Sequence, residues 1–211
     1  MKNNLTFLAL CFTMVLNAQW INETSCSKKA SLIANNAIEY AMNLEHMAAF
    51  GAANSALLID EDCGCAKLIL AAVSSSNKNW GSRSKKLKAI NTTKLSPEEK
   101  GWYQYLAASS EDRQAVGKSL ASKFPKSALM NYLGTSPQDF NSFKVFAEKF
   151  PSHASSAYNM ISYGYMREDF GKEDTANAMK YVKMSQDMHD GPNAHDSMAE
   201  HYAANGDYEN A

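Results

Sequence analysis

The sequence is poor in helix-breaking residues and has no marked excess of charge of one sign. Its 211 residues include only ten glycines and five prolines, and 21 lysines and arginines almost balance 22 aspartates and glutamates. Scarce glycine and proline argue against a sheet of short strands, which needs many turns. Without a basic excess there is little charge to neutralise phosphates. We therefore expect an all-α protein that does not bind nucleic acid.

Motifs for chemistry and long apolar runs are also missing. The sequence contains no glycine-rich phosphate loop, no Gly-x-Ser-x-Gly, no His-Glu-x-x-His and no Cys-x-x-Cys-His. Serine, histidine and aspartate are scattered, without the local pattern of a nucleophilic triad. No segment after residue 19 supplies the ~20 apolar residues of a transmembrane helix. We expect a non-catalytic protein without a cofactor, a resident metal or a transmembrane segment.

The first nineteen residues have the pattern of a secretory signal peptide. Lys2 gives a positive start, residues 5–16 form a largely apolar run, and the small residue Ala18 precedes a cleavage site at Gln19. A lipoprotein signal would use Cys11, but the apolar run continues past that cysteine. The Asn-Ala-Gln ending resembles that of exported proteins of Gram-negative Bacteroidetes. The pattern predicts a periplasmic or secreted protein.

Apolar and small residues recur at helical spacing along the rest of the chain. The clearest helix start is Ser96-Pro97 followed by Glu98 and Glu99: serine caps the helix, proline fits its first position, and the acids face the positive end of its dipole. Helices are predicted at residues 28–44, 49–57, 65–74 and 80–90, on both sides of a turn at 109–112, at 126–133, from 136, at 152–166 and 174–189, and from 192.

The last twenty residues carry the most specific pattern. A large apolar residue precedes a small one, an aromatic residue follows, and a Gly-Asp-Tyr turn and an alanine complete the series. The residues in question are Met198, Ala199, Tyr202, Gly206, Asp207, Tyr208 and Ala211. This order closely resembles a tetratricopeptide repeat, although His195 or Asp196 stands near the place where that family often has tryptophan.

The resemblance implies a right-handed solenoid of about five to six helical hairpins. Residues 20–95 would form degenerate repeats, and residues 96–211 would follow the family pattern more closely. A second helix should begin after the turn at Gly206. Because its apolar face would have no partner before Ala211, we expect the array to continue beyond residue 211.

The resemblance also implies where a partner binds. In tetratricopeptide arrays the first helices of the hairpins line a concave groove, and this register predicts the groove residues Asn159, Tyr163, Arg167, Asn193, Asp196 and Glu200. The two acids would repel an acidic segment, so the expected partner is a neutral or basic protein or peptide. The implied function is that of an exported scaffold for protein–protein interaction or assembly. A non-catalytic repeat segment of a larger enzyme or sensor is an alternative.

Three cysteines follow the predicted signal peptide: Cys26, Cys63 and Cys65. Exported chains favour disulfides, so we expect Cys26 to pair with Cys63 or with Cys65, leaving one free thiol. A redox pair of Cys63 with Cys65, or a soft-metal site that adds His46, is an alternative.

Methionine and histidine are frequent in the C-terminal third. Their helical spacing could bring thioether and imidazole groups to one face and bind Cu(I), which would make the chain a periplasmic copper-binding protein. Methionines at such spacing are more often gap-filling core residues. The residues concerned are Met184, Met188, His195, Met198 and His201.

One short segment is distinctly basic and contains Arg83, Lys85, Lys86 and Lys88. We interpret this run as a solvated helix face rather than an anion-binding site.

We predict that the protein isolated from the exported fraction of its native host begins at Gln19 or Trp20, because the apolar run at residues 5–16 directs export and is then removed. N-terminal sequencing or intact-mass measurement checks this. A cytoplasmic protein with an intact Met1 would contradict it.

Overall fold

The computed structural model describes residues 19–211, and these residues form eleven α-helices and no β-strand. The helices are α1 (Lys28–Met42), α2 (His46–Ile59), α3 (Gly64–Ala72), α4 (Arg83–Lys88), α5 (Pro97–Ala107), α6 (Arg113–Lys123), α7 (Ala128–Leu133), α8 (Asn141–Lys149), α9 (Ser155–Met166), α10 (Thr175–Met188) and α11 (Pro192–Ala204). The all-α prediction is confirmed. No helix in this part of the chain is long and apolar enough to cross a membrane. The predicted signal peptide falls almost entirely on residues outside the described range.

Helix starts follow the local sequence with two exceptions. At the start of α5, Ser96 Oγ accepts a hydrogen bond from the Glu99 amide (3.2 Å), and the Glu99 carboxylate accepts one from the Ser96 amide (2.8 Å). This capping box confirms the predicted start at Pro97. Helix α4 is only six residues long, shorter than the predicted 80–90 segment.

The other exception is the segment 136–140, which was expected to begin a helix. The Asp139 amide donates to the Ser136 carbonyl (2.9 Å), and the Ser136 amide donates to Ser142 Oγ (2.9 Å), so these residues close a tight turn. Helix α8 therefore begins only at Asn141. Serine side chains that bond to nearby backbone groups compete with helix formation in this way.

Consecutive helices pack as hairpins through small residues. Helices α1 and α2 face each other through seven buried alanines, which are Ala30, Ala34, Ala37, Ala41, Ala49, Ala53 and Ala56. Helices α6 and α7 approach even more closely at Gly117, where an added Cβ would lie 2.0 Å from the Leu133 carbonyl oxygen. Only glycine permits this contact. Buried apolar residues from both predicted parts of the chain, 20–95 and 96–211, join in one core cluster.

The first hairpin also contacts the hairpin formed by α9 and α10, far along the chain. Ser155 Oγ donates to Asn43 Oδ1 (3.0 Å), and His189 Nε2 hydrogen-bonds Glu45 Oε1 (2.7 Å). In a solenoid each repeat contacts only its neighbours. Here, hairpins that are far apart in the chain contact each other, so the predicted tetratricopeptide-like solenoid is not confirmed.

The chain after α11 also differs from the prediction. Gly206 adopts a positive φ of 76° and ends the helix, in line with the turn expected there. Residues 208–210 then form a turn instead of the predicted second helix. Five residues are too few to offset the cost of helix nucleation without packing partners.

The N-terminal segment, residues 20–27, enters the core at Trp20 and Ile21 and then continues towards the surface. Trp20 is 1% exposed, and its ring lies against Phe146 (6.1 Å between centroids) and edge-on to Tyr132 (5.8 Å). The Trp20 carbonyl accepts a hydrogen bond from the Leu129 amide (2.8 Å), and its indole N–H donates to Glu39. The segment thereby joins helices α1, α7 and α8.

We predict that Trp20→Ala lowers the free energy of unfolding by about 3–5 kcal/mol, because it leaves a large cavity among three helices. Trp80→Ala is the matched control. Trp80 is only half-buried and stacks on a single ring, Phe50 (4.2 Å), so its loss should cost about 1–2 kcal/mol. Chemical denaturation followed by circular dichroism measures both, and equal losses would contradict the central role of Trp20.

Candidate functional site

The predicted groove residues divide between several places. Tyr163 on α9 and Glu200 on α11 are brought together: the Tyr163 hydroxyl hydrogen-bonds the Glu200 carboxylate and lies 3.2 Å from Ser197 Oγ. Burial, together with the hydrogen bond to Glu200, raises the pKa of Tyr163 to about 12. This pair ties α9 to α11.

Asn193 and Asp196 lie in an open cleft between the start of α11 and the start of α2, which we call the α2–α11 cleft. It has a volume of about 580 Å³, and its other lining residues are Leu44, Glu45, His46, Met47, Ala48 and Pro192. Asn193 is half-buried and Asp196 is exposed. The register predicted from the repeat pattern therefore places two polar residues at a real depression of the surface.

Asn159 and Arg167 lie one helical turn before and after Tyr163, and neither lines the α2–α11 cleft. Asn159 is 5% exposed, so a partner could not reach its side chain in this conformation, and its Oδ1 atom has no hydrogen-bond partner. Arg167 is exposed just after α9, 3.9 Å from an Asp169 carboxylate oxygen and 5.6 Å from the centroid of the Phe140 ring.

A second depression, which we call the central cleft, lies on the other side of the loop between α1 and α2. It has a volume of about 380 Å³, and its walls include Trp102, Tyr105, Phe143, Met160, Arg83 and Arg113. Leu44 and His46 line both clefts. Sequence periodicity did not reveal the central cleft, because helices α3, α5, α7 and α8 contribute to it from positions far apart in the chain.

The ridge between the clefts carries exposed apolar side chains. Leu44 is 61% exposed and Met47 is 70% exposed. Leu44 has a φ of 62°, a left-handed conformation that is uncommon for a leucine. Such outliers cluster at functional sites, where the surrounding structure holds them in place.

The cysteine prediction is confirmed in its first form. Cys26 and Cys63 form a disulfide, and Cys65 is a buried free thiol. Burial, and then the charges of Glu99 and Glu98, raise the pKa of Cys65 well above its ordinary value. With Cys63 bonded to Cys26, the Cys63–Cys65 redox pair is not the state observed.

The histidines of the two alternative metal sites have hydrogen-bond partners within the described residues. His46 Nδ1 lies 2.6 Å from Ser76 Oγ, and burial lowers the pKa of His46. His201 is buried and hydrogen-bonds Ser162 Oγ (2.8 Å), whereas His195 is exposed and hydrogen-bonds Asp190 (2.6 Å). Within residues 19–211, no group of three or more histidine, cysteine, aspartate or glutamate side chains is placed to hold a metal ion.

None of the family models, curated proteins or solved structures compared with this chain matches it. The tetratricopeptide resemblance of residues 198–211 therefore stays a prediction, and the two clefts have to be interpreted from their own chemistry.

We predict that Cys65 resists alkylation in the native protein at pH 8 and is labelled only after unfolding. The thiolate is the reactive form. Since the pKa of Cys65 is raised, the neutral thiol persists at this pH, and burial also blocks the reagent. Mass-spectrometric mapping without reduction should find Cys26 joined to Cys63. A Cys65→Ser variant, unlabelled in both states, is the control, and rapid labelling of the native chain or a Cys26–Cys65 peptide would contradict the prediction.

Proposed function

We propose that this protein is an exported, non-catalytic scaffold of helical hairpins that binds a partner protein or peptide in the α2–α11 cleft. The observation that carries the proposal is the pair of exposed apolar side chains, Leu44 and Met47, beside an open cleft of about 580 Å³. Exposed apolar groups rimmed by polar residues are typical of interaction surfaces. An amphipathic segment of a partner would cover both side chains.

Charge around the cleft defines the partner further. Asp196 is exposed in the lining of the cleft, and Glu200 lies one helical turn further along α11. Glu45 is partly buried and paired with His189, so it contributes less to the field at the surface. Acidic groups beside an apolar ridge favour a neutral or basic segment, because like charges in an interface are costly.

Export is supported by two features of the described residues. The Cys26–Cys63 disulfide is typical of oxidising compartments. Trp20 is buried in the core, and Gln19 before it is only half-buried. Cleavage before Gln19 would thus remove the apolar run and leave the buried segment complete.

We predict that panning a displayed random-peptide library against the protein selects neutral or basic peptides with apolar side chains. A Leu44→Asn, Met47→Glu double variant should bind them at least tenfold more weakly, since it removes the apolar ridge; asparagine tolerates the left-handed backbone at position 44. Binding is measured by fluorescence polarisation with labelled synthetic peptides. The Asp196→Lys, Glu200→Lys double variant should weaken basic peptides selectively.

Leu58→Glu is the matched control, because Leu58 is 90% exposed near the opposite end of α2. The changes at the exposed residues Leu44, Met47, Leu58 and Asp196 should alter the stability by less than ~0.5 kcal/mol. Glu200→Lys also removes the hydrogen bond to Tyr163 and should cost more, so thermal melting establishes that the double variant is folded. Selected peptides that bind the Leu44→Asn, Met47→Glu variant with unchanged affinity would place the interaction elsewhere and refute the proposal.

A further inference from the structure

Two arginines face the central cleft without an acidic partner. Arg83 is the first residue of α4, Arg113 is the first residue of α6, and both line the cleft. Within residues 19–211, neither guanidinium forms an ion pair with a carboxylate. Partly buried arginines usually find such a partner, because removing a charge from water is costly.

The ends of two helices hold these arginines in place. Arg83 Nη2 donates to the carbonyl of Ala72, the last residue of α3 (3.3 Å), and Arg113 Nη2 donates to the carbonyl of Ala108, which caps α5 (3.2 Å). The C-terminal end of a helix carries partial negative charge and attracts cations. Each guanidinium is thereby fixed in orientation through one of its five N–H donors.

The remaining donors are the feature that a structural role does not explain. The Nε atoms of Arg83 and Arg113 are both buried and have no hydrogen-bond partner. A buried donor without a partner loses its hydration and gains nothing in return. The hydrogen-bonding capacity of neither guanidinium is therefore met within the described residues, and both cations line the cleft without compensation of their charge.

The electrostatics of the cleft point the same way. The pKa of Arg83 is lowered, first by burial and then by the charge of Arg113. The Arg113 guanidinium carbon lies 5.9 Å from the centroid of the Tyr105 ring, and burial raises the pKa of that phenol against the opposing effect of both arginines. His46 adds no charge near neutral pH, because burial lowers its pKa. An anion would relieve the repulsion between the two cations.

Most of the other residues in the wall are apolar, and the space that they enclose has the size of a small molecule. Trp102, Leu106, Phe143 and Met160 face the same space, whose volume is about 380 Å³. Ligand pockets typically combine about 300–1,000 Å³ of mostly apolar lining with a few convergent polar groups. The arginine fork matches the oxygens of a carboxylate or of a phosphate.

We propose that the central cleft binds a small organic anion, with a carboxylate or phosphate held by Arg83 and Arg113 and an apolar, aromatic body packed against Tyr105 and Met160, which are partly exposed residues of the wall. The site differs from the partner-binding surface proposed above, because Arg83 and Arg113 do not line the α2–α11 cleft, although Leu44 and His46 line both clefts.

Isothermal titration calorimetry with naphthoate, naphthyl phosphate and naphthamide tests the proposal on the full mature chain. At least one of the two anions should bind, at least tenfold more tightly than the amide, which has the same body without the charge. The comparison of the two anions tells a carboxylate site from a phosphate site. Equal affinity for acid and amide, or no binding of either anion at millimolar concentration, would overturn the proposal.

Arg83→Gln and Arg113→Gln should each weaken the better anion at least tenfold and leave naphthamide unchanged. Lys88→Gln is the matched control: it removes the same charge from an exposed position on α4 and should have no effect. If Lys88→Gln lowered the anion affinity as much as Arg83→Gln does, the effect would come from the overall charge of the protein, and the proposed site would be refuted.

Circular dichroism and thermal melting establish that each variant is folded. If a glutamine variant does not fold, the Arg83→Lys and Arg113→Lys variants replace it; they keep the charge but lose the fork, so anion affinity should still fall. Peptide binding at Leu44 and Met47 is measured with a different probe, so failure of one proposal is distinguishable from failure of the other.

Discussion

Two buried carboxylates at the start of α5 hold the N-terminal segment in place through hydrogen bonds, and the packing of the core depends on this segment. Glu98 accepts hydrogen bonds from the Asn22 amide (3.1 Å) and from Ser127 Oγ (2.8 Å), and Glu99 accepts one from the Ser25 amide (3.0 Å). Both side chains are buried, and amide donors with the positive end of the helix dipole stabilise them in place of a cation. Once residues 22–25 are held there, Trp20 reaches the core on one side.

The same N-terminal segment also contacts the start of α3, and this contact accounts for the Cys63-Gly64-Cys65 sequence. The Gly64 amide donates to Ser25 Oγ (3.0 Å), and an added Cβ at Gly64 would lie 2.6 Å from that oxygen and 2.3 Å from Leu95. Glycine thus lets α3 begin close against the segment, and a larger residue would have to displace the Leu95 and Ser25 side chains. The neighbouring Cys63 is then in place to meet Cys26, while Cys65 points into the core beside the carboxylates. The three residues of the motif thus supply one half of the disulfide, a close backbone contact and a buried side chain.

Local features of the fold were predictable from the sequence, and distant contacts were not. Helical spacing located the helices, and Ser96 with Glu99 located the start of α5, because these patterns depend on residues three or four apart. The hydrogen bonds between His189 and Glu45 and from Ser155 to Asn43 join residues more than a hundred positions apart, and no helical period in the sequence predicts them. They hold the α1–α2 hairpin against the α9–α10 hairpin, and the two clefts lie on either side of Leu44 in this arrangement. The groove residues predicted from the repeat register therefore include Asn193 and Asp196, which line a cleft, and also Asn159, which is buried.

The basic run at residues 83–88 was interpreted as solvated, which holds for Lys85 and Lys88 but not for Arg83. A count of charges treats lysine and arginine alike, but the two differ in hydration. The lysine ammonium is strongly hydrated, whereas the arginine guanidinium is weakly hydrated and can enter an aromatic cleft at a lower free-energy cost. Only three of the 21 basic residues in this chain are arginines, and two of those three line the central cleft. In a lysine-rich sequence, an arginine is thus a better indicator than a lysine of a cation that lines a cleft. The end of α3 then orients Arg83 through a carbonyl eleven residues earlier, a contact that depends on the turns between α3 and α4 rather than on any helical period.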